Sequence, residues 1–226
     1  KSFLFFALLL AFPHTSFGQC AMCRAVLESG TDTSAAEGIN NGIVYLMAIP
    51  PLMQSALPLD LVRGGLERDA QPEAISALLI GIPLVLLLLI QWPVGQALAR
   101  RSVAVGLRLS LLCFSGGTAL MALSALSEGG LGLVVLALVL LAFGQAAFLP
   151  TATEAVVELS PEGHGGLAMA LFSQCFALSA FGAPLIAGLL LDHQGHGLVL
   201  WLLVALVCTL SLLLIGPIQR RADAKG

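Results

Sequence analysis

Charge is what this chain has least of. Only 10% of its 226 residues are Asp, Glu, Lys or Arg, against about a quarter in a water-soluble domain. With 58% hydrophobic residues and a mean hydropathy of +0.98, a soluble globule is excluded. No run of Lys or Arg occurs and the net charge is only −3, so nucleic acid is not a partner and nothing points to an anionic substrate. Gly-rich phosphate loops, Ser/His/Asp constellations and His-x-x-His metal pairs are all missing. The sequence therefore supports no enzymatic activity, calls for no cofactor and offers no metal site. Long apolar runs fill the chain instead, which makes it an all-α integral membrane protein whose first partner is the lipid bilayer.

The five cysteines fall into two groups. Cys113, Cys175 and Cys208 stand singly inside apolar runs and read as packing residues. Cys20 and Cys23 form a Cys-x-x-Cys pair near the start, whose spacing allows a local disulfide or a redox pair. Covalent haem attachment needs His next, where Arg24 stands, and a tetrahedral metal site needs two further ligands that the segment lacks.

Taken in order, residues 1–18 read as a signal-like segment, residues 19–40 as a short polar extramembrane stretch carrying the Cys pair, and residues 41–226 as a six-helix transmembrane domain. The first segment has Lys1, an apolar run from Phe3 to Phe12, a break at Pro13 and small residues at Ser16 and Gly18. That run is too short for a hydrocarbon core needing roughly 20 residues, so cleavage after Gly18 is favoured over an anchor. Six spans follow, at about Asn41 to Leu61, Ala74 to Val94, Val103 to Leu126, Leu131 to Leu149 with a polar extension to Leu159, Gly166 to Leu191, and Leu198 to Ile218. Their short connections predict that neighbours in sequence pack as antiparallel neighbours in space. Pro50, Pro51, Pro58, Pro83, Pro93 and Pro150 are expected to kink or end their helices, either lining a cavity or merely loosening the packing.

Arg100, Arg101 and Arg108 follow the second span, and Arg220, Arg221 and Lys225 follow the last. Arg63 and Arg68, in the loop between the first two spans, are diluted by Asp60, Glu67, Asp69 and Glu73. Positive-inside then puts the C-terminus and the Arg100 loop in the cytoplasm. Six spans put the start of the first one there too, which conflicts with an export signal.

The fifth span carries small or helix-bending residues at Gly166, Ala170, Ser173, Ala177, Ala180, Pro184 and Ala187, in steps of four and three. In lipid, close backbone approach over such residues supplies helix packing, so this seam is expected to lie against another helix. Polar residues at membrane depth are costly and tend to face a bundle interior. Gln54, Gln91, Gln145, Gln174 and Glu154 are such residues, and Gln54, Gln145, Glu154 and Gln174 are the candidate substrate-binding set. Thr151, Glu154 and Glu158 fall within about 60° of one another on a helix. Either they share a functional face or they cap a cytoplasmic helix end.

From about Leu52 onward the chain resembles one six-helix half of a major facilitator superfamily transporter. Pro93-Val94-Gly95-Gln96-Ala97-Leu98-Ala99-Arg100-Arg101 is similar to that family's loop in which a Gly precedes an Asp-Arg pair and further basic residues, with Ala99 at the acidic position. Pro150, Glu158-Leu159, Pro161-Glu162 and Gly165 resemble the second-half pattern, with His164 where Arg is usual. Gly182-Ala183-Pro184, Gly188 and Asp192 resemble the following helix. The C-terminal half fits best. By contrast, residues 1–50 resemble a small exported single-span bacterial protein, which suggests a composite chain joined near Pro50.

The resemblance implies transport of a small solute by alternating access. Gly95, Arg100, Arg101, Gly182, Pro184 and Gly188 would be its conformational motif residues. It also implies a multi-pass protein of a bacterial inner (cell) membrane, partnered by a second six-helix bundle: a missing half, or another copy of the chain. The rival is a non-transporting accessory or assembly subunit of a larger membrane complex, which the Ala99 substitution favours.

Overall fold

A computed structural model of the protein describes residues 33–160 and 165–223. The chain divides after Ser34, and the unit from Ala35 onward contains the helical bundle. The described residues form six helices: α1 Thr33–Arg63, α2 Glu73–Leu98, α3 Val103–Ser124, α4 Leu131–Leu159, α5 Gly165–Gln194 and α6 Leu198–Asp223. Among the described residues, α2, α3, α4 up to Glu158 and α5 are long and apolar enough to cross a membrane, and α6 has a shorter apolar stretch over Leu198–Leu213.

Helix is the form these apolar runs must take, because only it satisfies every backbone group within one segment when no water is at hand. The stops are chemical. Gly64 adopts φ +83° just past α1 and returns its N–H to the Asp60 carbonyl at 2.9 Å, and Gly195, at φ +75°, does the same to Leu191 at 2.8 Å after α5. Both are left-handed glycine terminations that another residue would strain. Pro72 stands immediately before α2, where its missing N–H costs nothing, with Glu73 in the first turn.

None of the six prolines expected to kink or end a helix ends one. Pro50, Pro51 and Pro58 lie inside α1, Pro83 and Pro93 inside α2, Pro150 inside α4 and Pro184 inside α5. Around Pro150 the carbonyls have side-chain donors: Thr151 Oγ1 donates to Ala147 O at 2.7 Å, and Thr153 Oγ1 to Pro150 O at 2.8 Å. The carbonyl that Pro150 leaves without its helical donor is that of Ala146; the two hydroxyls bond the neighbouring Ala147 and Pro150 carbonyls instead. α1 runs unbroken through Pro50, where the sequence suggested a junction.

The helices do not pack in chain order. α3 and α4 form the central pair, α3 also packs along α6, and α2 lies along α4, whereas α2 and α3 barely meet. A short turn fixes only the ends it joins; the faces decide the rest. Gly106 lies against the Thr151 side chain, Gly117 against Leu141 and Gly144 against Phe114, so close that a Cβ at any of the three would collide. These glycines weld α3 to α4. Between α3 and α6 the Ser115 and Thr209 hydroxyls meet at 2.8 Å, and Trp201, Val204, Cys208 and Ser211 of α6 form a buried stripe at helical spacing.

Burial is uneven along the bundle. At one end, the Asp60 end, α1, α3 and α5 finish and α2, α4 and α6 begin; the opposite, Arg100 end holds the α2–α3 turn. Buried positions run the length of α3 and α4. In α2 only Ser76 and Leu79 are buried, and in α5 only Ala183, Ala187 and Leu191. All five lie toward the Asp60 end. The seam of α5 is correspondingly uncovered, with Gly166, Ala170, Ser173, Ala177, Ala180 and Pro184 exposed and only Ala187 buried.

Candidate functional site

Two grooves open toward the Arg100 end on either side of α4. One, of about 450 Å3, is lined by Thr153, Glu154, Val157 and Glu158 of α4 and Met169 of α5. The other, of about 360 Å3, is lined by Gln91, Trp92, Gly95 and Gln96 of α2 with Leu149, Pro150 and Thr153 of α4. Thr153 borders both. The walls combine two carboxylates, two amides and an indole with apolar surface, and among the described residues no cationic side chain lines either groove. Such walls suit a solute that donates hydrogen bonds or carries positive charge.

The sequence-derived residues are distributed as follows. Glu154 lines the larger groove and is exposed. Gln54 on α1 and Gln174 on α5 are exposed and Gln145 on α4 is half-buried, and none of the three lines either groove. Thr151 does not share the face of Glu154 and Glu158: it is buried against Gly106, while the two carboxylates are exposed. Angle alone does not separate them, since Thr151 and Glu158, seven residues apart, lie within about 20° of each other on a helix; Thr151 faces Gly106 of α3, whereas Glu158 stands in the last turn of α4.

Of the motif residues, Gly95 borders the smaller groove, and Arg100 and Arg101 are exposed in the α2–α3 turn. Gly95, Gly182 and Gly188 have open space where a Cβ would stand, so none marks a close approach in this bundle. Pro184 is exposed. Cys20 and Cys23 lie outside the described residues.

The sequence reading missed a buried ion pair at the Asp60 end. Arg68, in the α1–α2 loop, donates through Nη2 to Asp60 Oδ2 at 2.7 Å and to the Asp60 carbonyl at 3.2 Å, and through Nη1 to Ser124 Oγ at 2.5 Å. Their side chains are 1% and 0% exposed. The second carboxylate oxygen, Oδ1, sits where a Cβ on Gly197 would be, and the Trp201 indole faces the same carboxylate. By strict geometry Asp60 Oδ1, Arg68 Nε and Trp201 Nε1 have no hydrogen-bond partner. A second pair, Arg63 to Asp192 at 2.5 Å, ties α1 to the end of α5 at the surface.

A bundle of apolar helices with polar grooves beside a central helix pair defines a multi-pass membrane protein. Its sequence matches the Major Facilitator Superfamily over residues 33–225, and the chain belongs to that family of membrane transporters. The match begins well before Leu52, so it includes the part of α1 on the far side of Pro50. No curated protein matches the chain.

Proposed function

We propose that the chain is one six-helix half of a major-facilitator-type secondary carrier, moving a small solute by alternating access between two such bundles. One observation carries the reading: α4 and α5 expose polar and small residues, Glu154, Glu158, Ser173, Gln174, Ala177 and Ala180, on helices long enough to span a membrane. Carboxylates and amides facing hydrocarbon are costly, and small residues there gain nothing from lipid. Water and a second bundle meet both requirements. The grooves would then be part of a cavity between the two bundles, with Glu154, Gln174, Gln54 and Gln145 as candidate solute contacts.

In this reading the Arg100 turn and the C-terminus face the cytoplasm of a bacterial inner membrane. Reporter fusions at Ser102 and Lys225 test that sidedness: activity of a cytoplasmic reporter is expected at both, and activity only of an exported reporter contradicts it. Uptake tests the function. Proteoliposomes carrying the chain with its partner bundle should accumulate a labelled member of a panel of small cationic and neutral solutes, and Glu154→Gln should reduce uptake per folded molecule about tenfold or more. Flat uptake across the panel favours the second reading, an accessory subunit, for which Ala99 beside Arg100 is the specific indication. Such a subunit should co-purify with a larger complex.

A further inference from the structure

The grooves and the buried ion pair stand at opposite ends of the bundle, and burial follows the same polarity. At the Asp60 end the α1–α2 loop is folded down onto the bundle. Gly65 N donates to Arg68 O at 2.8 Å, Glu67 N to Ala125 O at 3.0 Å and Gln71 N to Leu61 O at 2.9 Å. Gly65 lies so close to the Ala125 backbone that no Cβ would fit. Through Asp60, Arg68, Ser124 and Gly197 this knot joins α1, the loop, the end of α3 and the start of α6, and Arg63–Asp192 adds α5. Toward the Arg100 end, by contrast, α2 buries no side chain beyond Leu79 and α5 none before Ala183 among the described residues.

We propose that the Asp60–Arg68 knot is the fixed pivot of this bundle: it holds the Asp60 end shut while α2 and α5 change their separation from α4 at the Arg100 end. Buried, hydrogen-bonded ion pairs suit this task. They add little net stability, yet they admit one geometry and are expensive to open, because each charge left alone stays buried. Helices pinned at one end and lightly packed at the other belong to the low-stability part of a fold, from which moving elements are drawn. The proposal rests on the carrier reading only for its purpose; the gradient of mobility is a property of the chain and is measurable without a substrate.

Hydrogen–deuterium exchange of the full chain in phospholipid nanodiscs tests it. In the unaltered protein, the hydrogen-bonded amides of residues 64–72, those of Gly64, Gly65, Glu67 and Gln71, should exchange at least about tenfold more slowly than amides of α2 beyond Gln91 and of α5 before Ser173. Arg68→Met and Gly197→Ala should each speed exchange about tenfold or more in residues 64–72 and in the first turns of α6, leaving the middle of α4 unchanged. The pivot is overturned if residues 64–72 of the unaltered protein exchange as fast as the Arg100-end segments. It is equally overturned if both variants leave residues 64–72 unchanged, or if exchange rises evenly along every helix, which would make the pair general support. Because the first comparison needs no variant, a failure of either variant to fold does not shelter the proposal.

Discussion

Asp60 and Arg68 show at the residue scale how much a sequence can conceal. Asp60, Arg63, Glu67, Arg68 and Asp69 stand between two apolar runs, and as a string they read as solvated loop charges of mixed sign. Nothing in the spacing says that one acid and one base have gone inside. The available signal was Gly64-Gly65, two residues that let the loop reverse and lie on Ala125. Removing one partner of a buried pair leaves the other charge stranded, at a cost of roughly 3–5 kcal/mol. Asp60→Asn or Arg68→Met should therefore lower thermal stability markedly, whereas Asp69→Asn, at an exposed position, should change it by no more than about 0.5 kcal/mol. A thermal melt of the three purified variants checks the ordering. Thr151 carries the complementary lesson, since helical angles alone grouped it with Glu154 while Gly106 on another helix decided its burial.

At the scale of the element, most of the helix content was legible because the apolar runs were long and the punctuation was glycine or proline. The α2, α3, α5 and α6 starts at Glu73, Val103, Gly165 and Leu198 fall within a residue of the apolar edges. Lateral packing was not legible: it depends on Gly106, Gly117 and Gly144 meeting particular side chains on another helix, a long-range fact. Adding a methyl group at Gly144, where Phe114 already sits, should cost about 1–3 kcal/mol through overpacking, measurable as a lowered melting temperature for Gly144→Ala. The row of small residues on α5 was expected to lie against another helix, yet within this bundle only its Ala187 is buried. Ala177→Leu should consequently leave the melt of the isolated bundle nearly unchanged, while Val204→Leu, at a position 4% exposed on α6, should lower it. A larger loss for Ala177→Leu in the isolated bundle would mean that α5 packs on its own chain after all.

For the whole molecule, the family match over residues 33–225 and the helical bundle agree on a membrane transporter. What the bundle adds is a direction: one end knotted by a buried ion pair, the other bearing two grooves and the exposed faces of α4 and α5. On the proposed reading a bundle built this way needs a partner in lipid, and the central claim is that a second six-helix bundle supplies it. The direct measurement is the mass of the intact assembly released from the membrane, read by native mass spectrometry. The account predicts a particle containing two six-helix bundles, this one together with a second copy or with another bundle of like size. A particle holding this bundle alone, or in a complex whose other parts supply no six-helix bundle, would contradict it.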